Sequence, residues 1–260
     1  MPPILSEDDR ARLREYLVTT LVAGPTKTPR SNAVRNAELL AAGDPDKMLG
    51  FSYDGLEAQE VMDAVAALCG CSADLTERDG PGYIDPNRTL DELEAMAARL
   101  REAARRGERV LLCTGHPTGP LPLYMAVSRT LAESGCKVLT PAEGVKFGHD
   151  HRGRRLRVFY LDGVGVLSDG AALLHTHSGE PMENLLETSE PPDLIMADHG
   201  FAGAAIERGF EVIGFNDVND PALAVAKARR KIEVLVPLDD NVSPALYQPL
   251  TEVLVRTIRH

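Results

Sequence analysis

Along the first hundred residues the apolar side chains recur three and four positions apart, the repeat that lines one face of a helix. Leu13, Tyr16, Leu17 and Leu21 follow a helix-start signal of Ser6 with Asp8 and Asp9, and residues 32–41 and 56–69 show the same spacing. The longest stripe, Leu90, Leu93, Met96, Leu100 and Ala103, predicts an amphipathic helix over 89–106. From residue 109 the texture changes. Short β-rich runs (RVLLCT, KVLTP, AALLHT, DLIMAD, EVIGFND and IEVLVPLDD) alternate with helical patterns at 119–134, 180–188, 200–208 and 220–230, and residues 156–168 read as a hairpin. Strand–helix alternation of this kind predicts an α/β fold. The expected architecture is a Rossmann-like, mainly parallel sheet flanked by helices over 107–260. A helical N-terminal region, residues 1–106, is expected to pack on this core as one compact unit.

Composition changes this picture only at its margins. The chain has 260 residues, 43 % apolar and 26 % charged, with no tryptophan, an ordinary globular profile. No apolar run approaches the roughly 20 residues of a membrane helix. The start, MPPILSEDDRARLREYL, lacks the basic and then apolar pattern of a signal peptide, so a cytoplasmic protein is expected. Cys69, Cys71, Cys113 and Cys136 have no zinc-hook spacing and read as reduced thiols. A net charge of −11 disfavours nucleic acid as a partner but leaves room for a small phosphorylated metabolite, and for a homo-oligomer.

The chemistry gathers where the strands are expected to end. In an open parallel sheet, ligands bind beyond the carboxyl ends of the strands. Five candidate strands there run into polar clusters: Thr114-Gly-His-Pro-Thr-Gly119, His175-Thr-His-Ser-Gly179, Asp198-His-Gly200, Asn216-Asp-Val-Asn-Asp220 and Asp239-Asp-Asn241. The first can be an anion-binding loop, with backbone N–H groups of Gly115 and Gly119, hydroxyls of Thr114 and Thr118, and His116 as a proton donor. It can equally be a tight turn with Thr118 as helix cap.

Period-two alternation puts His175 and His177 on one side of an extended chain, as a divalent metal would need; one buried and one exposed histidine is the alternative. Asp198 beside His199 suits a ligand-and-base pair. Asp217 and Asp239 complete the metal-ligand candidates, whereas Asp220-Pro221 reads as a plain helix start. His149 and His151 read as a solvated loop. Near the N-terminus Lys27, Arg30 and Asn32 stand in GPTKTPRSN, which is either a phosphate clamp or a solvated loop capped by Asn32.

The stretches CTGHPTG, LLHTHSGEPM, PDLIMADHGFAGAAIERG, DVNDPALAVA and PLDDNVSPALYQPL together resemble a family of predicted phosphatases found in actinobacteria and archaea. The resemblance covers roughly residues 15–257 and implies phosphatase-type chemistry without assigning residues. Joined to the residue reading, it gives a metal-assisted phosphatase for a small phosphorylated metabolite. In it His116, His199 and Asp198 are catalytic, and Asp198, Asp217, Asp239, His175 and His177 hold a divalent ion (Mg, Mn or Zn). Neither a Cys-x5-Arg loop nor an Asp-x-Asp-x-Thr/Val motif is present to supply a covalent nucleophile. The alternatives are a nucleotide- or sugar-phosphate-binding isomerase, lyase or transferase, and a non-catalytic metabolite-binding protein.

Overall fold

The computed structural model describes residues 4–149 and 152–260. Helices α1 (Glu7–Thr19), α2 (Arg30–Ala41), α3 (Ala58–Cys69) and α4 (Pro86–Arg106) fill most of the first hundred residues. The α4 stripe is fully buried from Leu90 to Ala103. The Asp85 side chain accepts from Asn87 N–H ahead of it, Pro86 stands at the first position, and Gly107 closes it in the left-handed region. The helical reading missed β1 (Gly24–Pro29) and β2 (Pro81–Ile84), which form a short antiparallel ribbon. Their prolines weaken any strand signal, yet the ribbon alternates cleanly, with Thr26 and Thr28 inward and Lys27 and Pro29 outward.

The main sheet is built from β3 (Arg109–Thr114), β4 (Lys137–Val138), β5 (Lys146–His149), β6 (Arg155–Leu161), β7 (Val164–Ser168), β8 (Leu194–Ala197), β9 (Val212–Asn216) and β10 (Val234–Pro237). Its order is β10-β9-β8-β3-β7-β6-β5. Strands β10 to β7 run parallel, β6 and β5 form an antiparallel edge, and β4 pairs with the start of β3. The mainly parallel sheet and the hairpin at β6–β7 are as expected. Helices α5 (Leu121–Glu133), α6 (Glu180–Thr188), α7 (His199–Glu207), α8 (Pro221–Ala228) and α9 (Gln248–Ile258) complete the fold, the last after a single 3-10 turn at Pro244–Tyr247. Of the two loop histidines, His149 ends β5 and His151 lies outside the described residues.

Two departures place the site. After β3 the chain moves to one side to lay down β4 to β7, then crosses back to place β8 against the other side of β3. The carboxyl ends of β3 and β8 therefore flank the point where strand order reverses, the natural crevice of an open parallel sheet. The second departure is AALLHT, which is not a strand. Both edges of β3 are already taken by β7 and β8, so residues 171–178 have no strand to pair with beyond one bridge at Leu173. They run across the strand ends instead, tied down by a hydrogen bond from Thr176 N–H to Gly115 O at 2.9 Å.

Small residues let three segments meet there. A Cβ on Gly200 would stand 2.2 Å from Ser178 O, and one on Gly203 would stand 1.8 Å from Leu49 O. Helix α7 is thus pressed directly against the His175–Gly179 crossing and the turn that follows α2. Replacing Gly203 by Ala should force that turn off the helix. We expect a loss of roughly 1–3 kcal/mol, the usual cost of overpacking, seen as a lower denaturation midpoint at unchanged m-value.

Candidate active site

The centre of the site is Asp198, the residue after β8. Its carboxylate is buried and accepts from the Thr114 hydroxyl (2.7 Å), from Gly115 N–H (2.7 Å) and from His199 Nδ1 (3.0 Å), with buried Tyr124 beside it. Burial works to raise its pKa, but the hydrogen bond and charge of His199 and the bond from Thr114 outweigh this and hold it below the usual carboxylate value. The loop read as an anion site does receive an anion through Thr114 and Gly115, and that anion is the protein's own carboxylate. Thr118 is exposed and Pro120, not Thr118, precedes α5. Gly119 is where the Asp240 backbone passes, its carbonyl 2.1 Å from where a Cβ would lie.

With Nδ1 donating to Asp198, His199 turns Nε2 toward two further buried acids, 3.4 Å from Asp220 Oδ2 and 3.6 Å from Asp240 Oδ2. The backbone is bent to achieve this: His199 has φ +48°, a left-handed conformation that a β-carbon disfavours by roughly 1–3 kcal/mol. Asp220 precedes α8 but makes no side-chain cap, so the plain helix-start reading of this residue gives way to a place beside His199. Around them stand three more imidazoles. The His116 ring lies 4.5 Å from that of His175 and 5.4 Å from that of His199, and the His177 ring lies 4.8 Å from that of His175 and 5.4 Å from that of His199. His177 Nδ1 is 2.9 Å from the Asp46 carbonyl and 3.0 Å from the Asp46 carboxylate, both acceptors, so Nδ1 carries a hydrogen and Nε2 is the nitrogen left for another partner. His116 Nδ1 is buried 3.3 Å from Asp240 Oδ2 yet makes no well-formed hydrogen bond.

The carboxylates continue toward the ribbon. Asp217, Asp239 and Asp240 are all buried and can bring one oxygen each within 4.8 Å of the others. Asp239 accepts from Lys27 N–H and Asn241 N–H, and Asp217 from Val218 N–H and the Thr28 hydroxyl. Two further groups offer the same reach: His116, His175 and His199, and His177, His199 and Asp220. A cavity of about 110 Å³ opens at the two histidine-bearing groups and Asp240, lined also by Asn36, Lys47, Asn219 and Asn241.

Of the N-terminal cations, Lys27 is exposed and reaches the site only through its backbone N–H. Arg30 points elsewhere, donating to the carbonyls of Glu77 and Asp74. Asn32 is exposed in the first turn of α2, past the cap position at Pro29. Sequence reasoning passed over Lys47 and Asn36, which sit in a turn and on a helix far from any strand end. It also preferred Asp239 to its neighbour Asp240, although adjacent side chains in extended chain face opposite ways and both had to be considered.

The electrostatics follow from crowding. Burial, then the charges of Asp240, Asp220 and Asp239, push the Asp217 pKa well above the carboxylate range. Burial also raises that of Asp220, only partly countered by His199. His199 goes the other way for a histidine: desolvation opposes its charge, but Asp220, Asp198 and Asp240 overcome it and lift its pKa to about 10. His175, at the cavity rim, is pushed down to about 4 by desolvation and by the charges of the other three rings.

A family profile described as Phosphatase matches residues 8–260. The chain belongs to the Phosphatase family. Within that family it is 41 % identical to the protein named Phosphatase SCO2771 of Streptomyces coelicolor over 261 residues, 97 % of each chain. The described centre is layered, with Asp198 and Thr114 beneath and the four imidazoles, Asp220 and Asp240 above them lining the cavity. No described helix is long and apolar enough to cross a membrane.

The raised pKa of His199 has a testable sign. A histidine whose pKa is higher folded than unfolded adds stability that is complete below the unfolded value, about 6.5, and is lost as pH climbs through the folded one. Metal-free protein should therefore lose stability from about pH 6.5 to about 10. His199→Gln should flatten that stretch of a denaturation-midpoint curve; an unchanged slope would show the ring uncharged in the folded state.

Proposed function

We propose that this member of the family hydrolyses phosphate monoesters with the help of a divalent cation held by His177, His199 and Asp220. The observation that carries this reading is the way two imidazoles are tied back. His199 gives Nδ1 to Asp198 and His177 gives Nδ1 to the Asp46 carbonyl, which leaves Nε2 on each as the ligating nitrogen, the arrangement that metal-binding histidines adopt. His199 has only that one nitrogen to give, so the alternative group with His116 and His175 competes for it. Neither of those two rings has an Nδ1 anchored in this manner. The donors suit Zn or Mn, and Asp217, Asp239 and Asp240 add an adjoining all-oxygen set suited to Mg or Mn.

Burial and mutual repulsion raise the pKa of Asp217, Asp220 and Asp239, and a cation among them would relieve both. A bound divalent ion supplies charge to offset the phosphoryl oxygens and to acidify water. The chain's own residues do the rest. Lys47 and the amides of Asn36, Asn219 and Asn241 line the cavity where phosphoryl oxygens would sit. Burial works against charge on His116 but Asp240 outweighs it and raises its pKa, which favours the protonated ring that a departing alcohol oxygen needs. His175, neutral at physiological pH, offers a lone pair at the rim. Thr114 and Asp198 touch no cavity atom and act by fixing the tautomer and direction of His199. The four cysteines are free, and burial pushes the Cys113 thiol up, so thiolate attack has no support.

Two variants separate the roles. His177→Ala should lose bound metal and turnover of p-nitrophenyl phosphate together, and chelation of the wild type should reproduce the loss. His116→Ala should keep its metal, measured by elemental analysis, while turnover falls about 10²–10⁴-fold, the usual contribution of a general acid. A chelator-insensitive enzyme, or equal metal loss in both variants, would overturn the assignment.

A further inference from the structure

The turn between α2 and α3 divides the site into two spaces of different chemistry. Lys47 faces the small cavity and is the only lysine or arginine among the described residues lining it. On the other side lies an open trough of about 910 Å³, within the size range of small-molecule sites. Asp46, Met48 and Phe51 form one wall of the trough, and His175, His177 and Ser178 the other. The two imidazoles also belong to the small cavity, so the spaces join at His175 and His177. The neighbours Asp46 and Lys47 line different spaces while ion-paired at 2.7 Å, and Asp46 holds His177 through its carbonyl. The turn is both a partition and a clasp.

The small cavity, at about 110 Å³ against about 910 Å³ for the trough, is the lesser of the two joined spaces and holds the lysine and amides that suit a phosphoryl group. The trough is the space that suits the remainder of the molecule. Among the described lining residues the trough has no lysine or arginine; its ionisable groups are Asp46 and the two histidines. A second phosphoryl group there would meet no lysine or arginine, and the Asp46 carboxylate, already paired with Lys47 and set 3.0 Å from His177 Nδ1, offers it no donor, which selects against it. Met48 and Phe51 offer apolar surface, and Ser178, Thr176 and Asp46 offer hydroxyl and carboxylate partners. That mixture suits a body with C–H faces and hydroxyl edges.

We infer that the substrate is a monophosphate ester of an uncharged, hydroxyl-bearing alcohol, with its phosphoryl group against Lys47 and its alcohol in the trough. This rests on the phosphatase reading above. Water oxygen forms the new P–O bond, the P–O bond to the alcohol breaks, and the alcohol oxygen leaves with a proton, giving inorganic phosphate and the free alcohol.

The test uses full-length, metal-loaded protein and three probes: p-nitrophenyl phosphate, a hexose monophosphate and the matching hexose bisphosphate. We expect kcat/KM for the monophosphate to exceed that for the bisphosphate at least tenfold. Lys47→Gln should weaken calorimetric binding of inorganic phosphate about tenfold, the scale of one charge-assisted contact, with metal content unchanged. Met48→Arg should shift the ratio toward the bisphosphate by supplying the missing cation; circular dichroism checks both folds, and Lys47→Gln alone suffices if the arginine variant does not fold. Equal or better use of the bisphosphate, or unchanged phosphate binding in Lys47→Gln, overturns the inference while p-nitrophenyl phosphate turnover leaves the phosphatase reading standing. No turnover of p-nitrophenyl phosphate overturns both.

Discussion

A carboxylate buried between two parallel strands is costly unless every lone pair finds a partner, and Asp198 meets that demand with groups from both strand ends. Thr114 and Gly115 come from the end of β3, and His199 from the start of the helix after β8. Because these strands are adjacent in the sheet yet far apart in the chain, this one carboxylate closes the switch-point crevice from below. It also decides which nitrogen of His199 is free. The left-handed φ of +48° at His199 is the visible cost of that arrangement, and the approach of Gly200 and Gly203 to the overlying segments lets the same helix carry it. Remove the carboxylate and His199 would have neither a defined tautomer nor a reason to face the outer acids.

The parts of the fold written in hydrophobic periodicity were legible, and the parts written in what neighbours leave vacant were not. β3, β8, β9 and β10 are continuous apolar runs, as strands covered on both faces must be, and α4 carries an unbroken stripe. AALLHT has the same local texture as a strand, but β7 and β8 occupy the places it would need. Its fate was settled by topology, which no local window contains. The β1–β2 ribbon failed for the opposite reason: its prolines hide a pairing that long-range contact makes good. At the site, polar groups after successive strands did signal convergence, and His116, His175, His177, His199, Asp217 and Asp239 do gather. What strand-end reasoning cannot separate is which acid faces the cavity and which supports a histidine. Asp198 and Asp240 differ only in which atoms reach them, and Lys47 and Asn36 arrive from elements that carry no strand-end signal at all.

The overall charge gives the site a particular problem. The protein carries a net charge of −11 and gathers buried carboxylates where an anionic substrate is to bind. Long-range attraction therefore cannot bring the phosphate in, and recognition has to come from local cations and donors at close range. In the metal-free protein the crowding favours protons: burial and the neighbouring acids push the Asp217 pKa well above the carboxylate range, and the same acids lift that of His199 to about 10. Replacing those protons with a divalent ion frees ligating oxygens and an imidazole nitrogen in one step, so cation binding should be strongly linked to pH and should expel protons.

The same replacement creates the positive potential that the acids alone would deny to phosphate. Lys47, the one lysine or arginine among the described cavity-lining residues, and the His199 imidazolium would not offset five buried aspartates at Asp198, Asp217, Asp220, Asp239 and Asp240, and the bidentate fork of an arginine is missing from the lining. On the proposed reading, the absence of arginine from the cavity wall among the described residues and the surplus of carboxylates have the same cause: the acids would hold a cation, and the cation the phosphate. The histidines then divide by what lies behind them. Those with Nδ1 anchored to a fixed acceptor present Nε2 without reorganisation, whereas His116, buried against one carboxylate oxygen in poor hydrogen-bond geometry, remains free to exchange a proton. On the proposed reading, anchoring makes a ligand, and its lack leaves a proton carrier.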